Sequence, residues 1–376
     1  MSMFFIIFFS LYAALHAYVF IKTWNAFKFG TSTGSVIAFA FLVCLFMPLL
    51  VRSLEHTGHE GIARVIGYAG YMWMCMIFIF FVISVSIDIS RLCIIIFYSI
   101  AKINLPNTIH SSLVFFLVSA VASIAITAYG YHEARAVRTE RIGIETSKLP
   151  PGINRLTIVQ ISDVHLGLIN KDVPLRRVVD IIKSINPDIV VSTGDLVDGQ
   201  INTLNGLSGL LKEVNPRYGK YAIMGNHEFY AGVRVSEDFT REAGFLMLRQ
   251  RAITIKNIVN IVGVDDTDHW HRGRSVSDRE VLEKVSRNIF TVFLKHRPVV
   301  EHDLLELFDL QLSGHTHGGQ IYPFRYITQV SFPMVSGQYP VGDNTLVYVS
   351  RGTGTWGPPI RFLTPPEITV FEIMRK

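Results

Sequence analysis

The sequence predicts an α/β region, built on a two-sheet core with helices outside, preceded by an α-helical transmembrane region of about four spans. Three observations carry this. Mean hydropathy is +0.35 and only 17% of the 376 residues are charged, which is too apolar for an ordinary soluble enzyme; the apolar excess lies before residue 131. From residue 156 onward, strand-like runs alternate with helical stretches and the end is strand-rich. Four of those strand-like runs finish in Asp, Asn or His, and three of the four have Gly alongside, where a tight turn needs it.

Composition narrows the function classes. The net charge of +5 is modest and no dense Lys/Arg block marks a nucleic-acid surface, so no nucleic-acid partner is expected. Cys44, Cys75 and Cys93 all lie in the apolar half, without a CxxC, so no disulfide framework is expected. No internal repeat or low-complexity segment is present.

In chain order, residues 4–21, 35–51, 65–87 and 113–131 are apolar runs, each about long enough to cross the roughly 30 Å hydrocarbon core as a helix. The first lacks the basic start of a signal peptide and is followed by three more. Residues 92–101 read either as an interfacial helix or as a continuation of the third span. With four spans both termini share a side. Lys22, Lys28, Arg91 and Lys102 then face Arg52, Arg64, Arg135, Arg138, Arg141 and Lys148, and six against four favours a multi-pass inner-membrane protein with its second half on the cytoplasmic face. His16, inside the first span, reads as a histidine packed between helices, with substrate passage as the alternative. The loop from His56 to Glu60 reads as solvated rather than as a metal site.

Residues 1–131 are therefore taken as the transmembrane domain, 132–152 as a charged linker closed by Leu149-Pro150-Pro151-Gly152, and 153–376 as the second domain. Within the latter, 175–185 has apolar residues at helical spacing and is stopped by Asn186-Pro187. Residues 204–214 are a second helix candidate. Strand candidates include 258–262, 290–294, 346–349 and 368–373.

The chemistry sits on four segments. Thr157-Ile158-Val159-Gln160-Ile161-Ser162-Asp163-Val164-His165 is a strand ending in Asp-x-His. Gly194-Asp195-Leu196-Val197-Asp198, Gly225-Asn226-His227-Glu228 and Gly314-His315-Thr316-His317-Gly318-Gly319 each follow an apolar run. Carboxyl ends of strands are where α/β proteins place their sites. Carboxylate and imidazole donors without thiolates suit Mn, Fe or Zn, and two such cations side by side can clamp a phosphoryl group and acidify a water.

From about residue 150 to 376 the chain resembles the calcineurin-like metallophosphoesterases, most closely their membrane-associated bacterial branch. Val262-Gly263-Val264-Asp265-Asp266 and Ser350-Arg351-Gly352-Thr353-Gly354 add to the match. The resemblance implies a four-layer αββα sandwich and two divalent metal ions. It implies that Asp163, His165, Asp195 and His317 hold one ion, that Asp195, Asn226, His296 and His315 hold the other, and that Asp195 bridges. His296 is preferred over the nearby His302. His227 is implied beside the leaving group, as acid or charge stabiliser, with Asp198 orienting it. Asp265 and Asp266 read as acids supporting the site or as a turn. Gln320 and Arg351 are candidate substrate contacts, with a structural salt bridge as the competing reading of Arg351. Trp356, Pro358 and Pro359 read as an apolar rim near the bilayer or as packing within the domain. The expected function is a membrane-anchored two-metal phosphohydrolase that cleaves a phosphoester or pyrophosphate bond by metal-activated hydroxide. Its partners are the lipid bilayer and a phosphorylated, lipid-linked substrate; the resembled family includes enzymes that cleave the pyrophosphate of UDP-diacylglucosamine. The alternatives are an anchored protein phosphatase or nuclease, or a non-enzymatic membrane sensor of a phosphorylated ligand.

Overall fold

The computed structural model describes residues 3–106, 111–199, 204, 206–266 and 276–376. It divides into two compact units, Met1–Tyr131 and His132–Lys376.

The first unit is helical: α1 (Met3–Phe27), α2 (Thr31–His56) and α3 (Glu60–Ala101), with α4 (Ser112–Glu133) running to its boundary. Among the described residues these four are long and apolar enough to cross a membrane. Their outward faces carry exposed apolar side chains such as Val36, Phe39, Val65 and Val121, as a lipid environment requires. Residues 92–101 continue α3, which at 42 residues and 1.5 Å per residue is about 63 Å long, twice the hydrocarbon core. His16 is buried and fully hydrogen-bonded: Nδ1 meets the Tyr12 carbonyl at 2.8 Å and Nε2 accepts from Trp73 Nε1 at 3.0 Å. Asp88 accepts from Lys22 Nζ at 2.5 Å and from the Tyr18 hydroxyl at 2.9 Å. In the loop after α2, His59 meets Thr57 at 3.1 Å and is exposed.

The second unit has two six-stranded sheets. The first, in the order β1-β12-β2-β3-β4-β5, uses β1 (Arg138–Thr146), β2 (Arg155–Ile161), β3 (Ile189–Ser192), β4 (Lys220–Ala222), β5 (Leu246–Met247) and β12 (Glu367–Arg375). The second, in the order β10-β11-β9-β8-β7-β6, uses β6 (Arg251–Ile255), β7 (Val259–Gly263), β8 (Phe290–Leu294), β9 (Leu310–Ser313), β10 (Gly337–Pro340) and β11 (Leu346–Val349). Successive side chains on a strand alternate faces, and the cores follow that alternation. Ile158, Ile189 and Val191 meet Ile261, Val292 and Leu310 between the sheets. Val159, Val190 and Val370 turn outward against α5 (Asp172–Ile185), α6 (Leu207–Lys212) and α8 (Val233–Glu242). Val262 and Phe293 pack against α9 (Asp278–Leu282) on the far side. The layers are therefore α, β, β, α. In α5, Leu175, Val178, Val179 and Ile182 fall at helical spacing and are all buried, each contributing roughly 1.5–3 kcal/mol. Asn186, left-handed at φ 50°, ends that helix. Two short helices, α7 (Asn226–Ala231) and α10 (Arg325–Ser331), complete the unit.

The linker reading of 132–152 needs correction. Residues 138–146 form β1, which pairs in parallel with β12 along its whole length. Glu140, Ile142, Ile144 and Thr146 point inward at period two while their neighbours are exposed, and Ile142 and Ile144 pack on the inter-sheet core. Charged residues on the outer face concealed a strand whose apolar face is only two isoleucines wide. The helix expected at 204–214 is shorter, starting at Leu207 after Gly206 with φ 84°.

Candidate metal centre

β2 and β3 run parallel to each other, β9 runs parallel to β8, and the three deliver Asp163, Asp195 and His315 just past their carboxyl ends. Asn226 opens α7 after β4, and His296 follows β8. The backbone makes sharp departures there. Asp163, His165, Asp195, His315 and His317 all have φ between 49° and 71°, a region that costs most side chains of order 1–3 kcal/mol. Two glycines permit close approach rather than an unusual φ: a Cβ on Gly225 would collide with Asp195 Oδ1, and one on Gly314 with Ser162 Oγ and Asp163 Oδ2.

Among the described residues three groups could hold a metal ion: Asp163, His165 and His317; His165, Asp195 and His227; and Asp195, His296 and His315. Their donor atoms lie within 4.8 Å of one another in each group. His165 Nε2 faces His317 Nε2 at 3.0 Å, and His315 Nδ1 faces His296 Nε2 at 3.2 Å. Asp195 Oδ2 is 3.2 Å from His296 Nε2 and 3.8 Å from His165 Nε2, so one carboxylate touches both clusters. His317 Nε2 is 3.5 Å from Asp163 Oδ1. Asn226 is buried and its Oδ1 has no hydrogen-bond partner; nor has His165 Nδ1. His302, the rival to His296, is exposed in a short 3-10 turn.

Burial pushes the rings of His165 and His315 down to about 4 and about 3, and burial together with the Arg361 guanidinium holds His317 well below its ordinary value. These three imidazoles are neutral and keep lone pairs to give. Burial works against the charge on Asp195, but His296 and His227 outweigh it and hold the carboxyl well below the usual range. His296 is lifted despite burial, to about 10, chiefly by Asp195. Its Nδ1 donates to the Thr193 carbonyl at 2.8 Å, leaving Nε2 toward Asp195. A proton between His296 and Asp195 and a divalent cation are alternatives for the same electron pairs. The orphaned Asn226 oxygen, the paired facing nitrogens and the ionised Asp195 make this donor set fit divalent cations.

His227 Nδ1 donates to Asp198 Oδ1 at 2.7 Å. Burial opposes its charge, yet Asp195 and Asp198 raise it to about 9. Two expected substrate contacts are engaged elsewhere. Arg351 Nη2 lies 2.5 Å from Glu140 and 2.6 Å from Glu367, so two carboxylates already neutralise it and the salt-bridge reading describes it. The Gln320 amide is spent on the main chain of Trp356, donating to its carbonyl and accepting from its N–H at 2.9 Å each. Asp265 pairs with Arg249 at 2.8 Å and Asp266 with Arg297 at 2.9 Å, so both are salt-bridge partners at the strand end.

Two residues escaped the sequence reading. Glu228 is buried and accepts from the N–H groups of Asp195, Leu196, Val197 and Gly225, tying the loop after β3 to the start of α7. Its signal was its place three residues into a helix that begins after Gly225, where a Glu reaches back to free N–H groups. Arg361, the largest fully buried side chain, donates to the His317 and Arg351 carbonyls at 2.8 and 2.6 Å and to His317 Nδ1 at 3.0 Å. Nothing in the sequence around it marked it.

Comparison with known proteins follows the same segments. A family model described as calcineurin-like phosphoesterase matches residues 156–319. A protein of Aquifex aeolicus described as an uncharacterized metallophosphoesterase is 39% identical over 257 residues, 68% of this chain and 98% of that one. The Bacillus subtilis metallophosphoesterase YkuE is 33% identical over 276 residues, covering 68% and 94%. A transmembrane protein with metallophosphoesterase domain from Danio rerio is 30% identical over 267 residues, covering 67% of this chain and 61% of its own. With the Aquifex and Bacillus relatives matched over nearly their whole length, this membrane protein belongs to the calcineurin-like metallophosphoesterase family.

Proposed function

We propose that the protein is a two-metal phosphohydrolase acting on a phosphoester or pyrophosphate bond of a lipid-linked substrate. The observation that supports it most is the pair of donor clusters linked by Asp195, whose Oδ2 lies 3.8 Å from His165 Nε2 and 3.2 Å from His296 Nε2. Asp163, His165, Asp195 and His317 would hold one divalent cation, and Asp195, Asn226, His296 and His315 the other. Two cations there would supply Lewis acidity toward phosphoryl oxygens and would make a water acidic near neutral pH.

The chain's own groups do the rest. Asp195, whose Oδ2 lies near both clusters while Oδ1 accepts from the His227 N–H, would serve each of them. Glu228 fixes the loop that presents it. Asp198 holds the His227 Nδ1 proton, which leaves Nε2 to deliver a proton to a leaving oxygen, and the raised value of His227 keeps that proton in place at neutral pH. Arg361 locks the ring and carbonyl of His317. The lipid reading is supported by the four candidate spans and by an aromatic rim: Trp356 and Tyr230 lie 5.8 and 5.4 Å, ring to ring, from His227. The distribution of basic residues around the spans favours the cytoplasmic side for the catalytic unit.

The test is turnover by the purified full chain in nanodiscs. With Mn present it should hydrolyse bis(p-nitrophenyl) phosphate, and it should release a phosphorylated head group from a total bacterial lipid extract, identified by mass spectrometry. Turnover of the soluble diester with no product from any lipid fraction would remove the lipid-linked part. Tight binding of phosphorylated ligands without turnover of either would make the protein a sensor.

A further inference from the structure

The mouth of the metal centre continues into an exposed apolar surface. On α10, Tyr326 and Ile327 are each 59% exposed and Val330 86%, and the helix buries no residue. Trp356 and Leu363 are 48% and 60% exposed. This surface borders the centre directly. Gln320 is bonded to the main chain of Trp356, the Tyr322 N–H donates to the Phe362 carbonyl at 3.1 Å, and Phe332, just after α10, lies edge-on to His315 at 4.9 Å.

Sheet register shows which end of the unit the chain enters. β12 is antiparallel to β2, with Thr369 opposite Gln160, so Glu367 lies at the end where β2 delivers Asp163. β1 is parallel to β12, with Arg138 opposite Glu367, so β1 begins at that same end. Arg138 follows Glu133, the last residue of α4, by five positions. Fully extended, that spans about 17 Å. The final candidate span therefore hands the chain over at the catalytic end of the sheet.

We infer that the catalytic unit docks on the phospholipid bilayer in which the chain's own spans sit. In this arrangement Tyr326, Ile327, Val330, Trp356 and Leu363 enter the boundary between head groups and acyl chains, and the centre opens at the membrane surface. Aromatic rings with a polar edge belong at that depth, and a short tether keeps this face within reach of it. The inference deepens the lipid-substrate reading and rests on it for its catalytic consequence, but the contact itself is measurable without substrate.

The experiment uses the full chain in nanodiscs of phosphatidylethanolamine and phosphatidylglycerol, with Cys44, Cys75 and Cys93 replaced by Ala and hydrolysis of bis(p-nitrophenyl) phosphate confirming the fold. Spin labels go on Ile327→Cys, Val330→Cys and, as control, Arg287→Cys, an exposed position before β8 at the opposite end of its sheet. The ratio of oxygen to nickel-chelate accessibility should be several-fold higher at 327 and 330 than at 287. In parallel, Ile327→Asp with Val330→Asp should lower kcat/KM on a vesicle-embedded phosphodiester about tenfold, equal to about 1.4 kcal/mol, and leave the soluble diester unchanged. Water-like accessibility at 330 overturns the docking whatever the substrate. Low accessibility to both reagents with dipolar coupling between Val330 labels means a second copy covers the face, and also overturns it. Labels in lipid without turnover of any lipid substrate would sink the substrate reading and leave the docking standing.

Discussion

Polar groups are treated in opposite ways at two places, around His16 in the helical unit and at the metal centre in the catalytic unit. In the helical unit His16 has both ring nitrogens satisfied, by Tyr12 and Trp73, and Asp88 is matched by Lys22 and Tyr18. In the catalytic unit His165 and Asn226 are as deeply buried, yet each keeps an atom with no partner, and two pairs of imidazole nitrogens face one another. A buried polar atom left unpaired costs about 1–3 kcal/mol. At the His16 ring the fold removes that cost, although the buried Tyr12 and Thr127 hydroxyls of the same unit stay unpaired. Where unpaired atoms occur beside convergent imidazole nitrogens and carboxylates, the deficit marks a place that something else is meant to fill.

The contrast can be broken at its strongest point first. Asp195→Asn keeps the shape but removes the charge shared by both clusters. Bound metal should fall at both sites, by more than the roughly 10–100-fold seen when only a supporting partner of a ligand is lost, with turnover falling in step. Elemental analysis after dialysis reads this, and two full equivalents would end the two-cluster account. Next, His227→Ala should leave metal content near normal and lower kcat by roughly 10²–10⁴. The sign of the pH effect follows from its raised value: the protonated form persists below that value and is lost as pH rises through it. The wild-type profile of kcat should therefore fall on the alkaline side, and the variant should lose that limb. Metal lost together with turnover would make His227 a ligand.

Arg361→Met should weaken metal affinity by roughly 10–100-fold because the His317 ring loses its support, while Arg361→Lys recovers part of it; titration calorimetry with Mn separates them. Equal affinity in all three proteins would reduce Arg361 to packing. The smallest effect is expected where the polar groups are satisfied. His16→Leu should destabilise the helical unit by roughly 0.6 kcal/mol, the average for a hydrogen bond between membrane helices, without changing metal content or turnover of a soluble diester. A folded variant that loses turnover would place function in the spans.

How far the sequence led differs by element. The spans were legible because lipid demands about twenty unbroken apolar residues, and only the reach of α3 beyond Ile87 stayed open, since Asp88 and Arg91 interrupt the run. Glycine-flanked Asp and His at strand ends pointed to residues that the structure brings together in the candidate centre. β1 was missed because Arg138-Thr139-Glu140-Arg141 reads as a charged connector; only pairing with β12 shows which face of it is inside. Arg351 and Gln320 drew attention by sitting in glycine-rich loops, but what they touch depends on Glu140, Glu367 and Trp356, distant in the chain. Arg361 could not be read at all, because an arginine in the sequence gives no hint that it will be enclosed.

The left-handed backbone at Asp163, His165, Asp195, His315 and His317 also bears on how such a centre can change over evolutionary time. Asp, Asn and His are the residues that tolerate this conformation best after Gly. The side chains that bind divalent cations are thus the ones these positions accept, and the chemical and steric demands reinforce each other. An Asp163→Glu or His315→Gln replacement keeps a donor group but gives up that tolerance, so drift at these strand ends should run among Asp, Asn and His. The centre can then retune its charge, and with it its preference among cations, without rebuilding the turns that carry it.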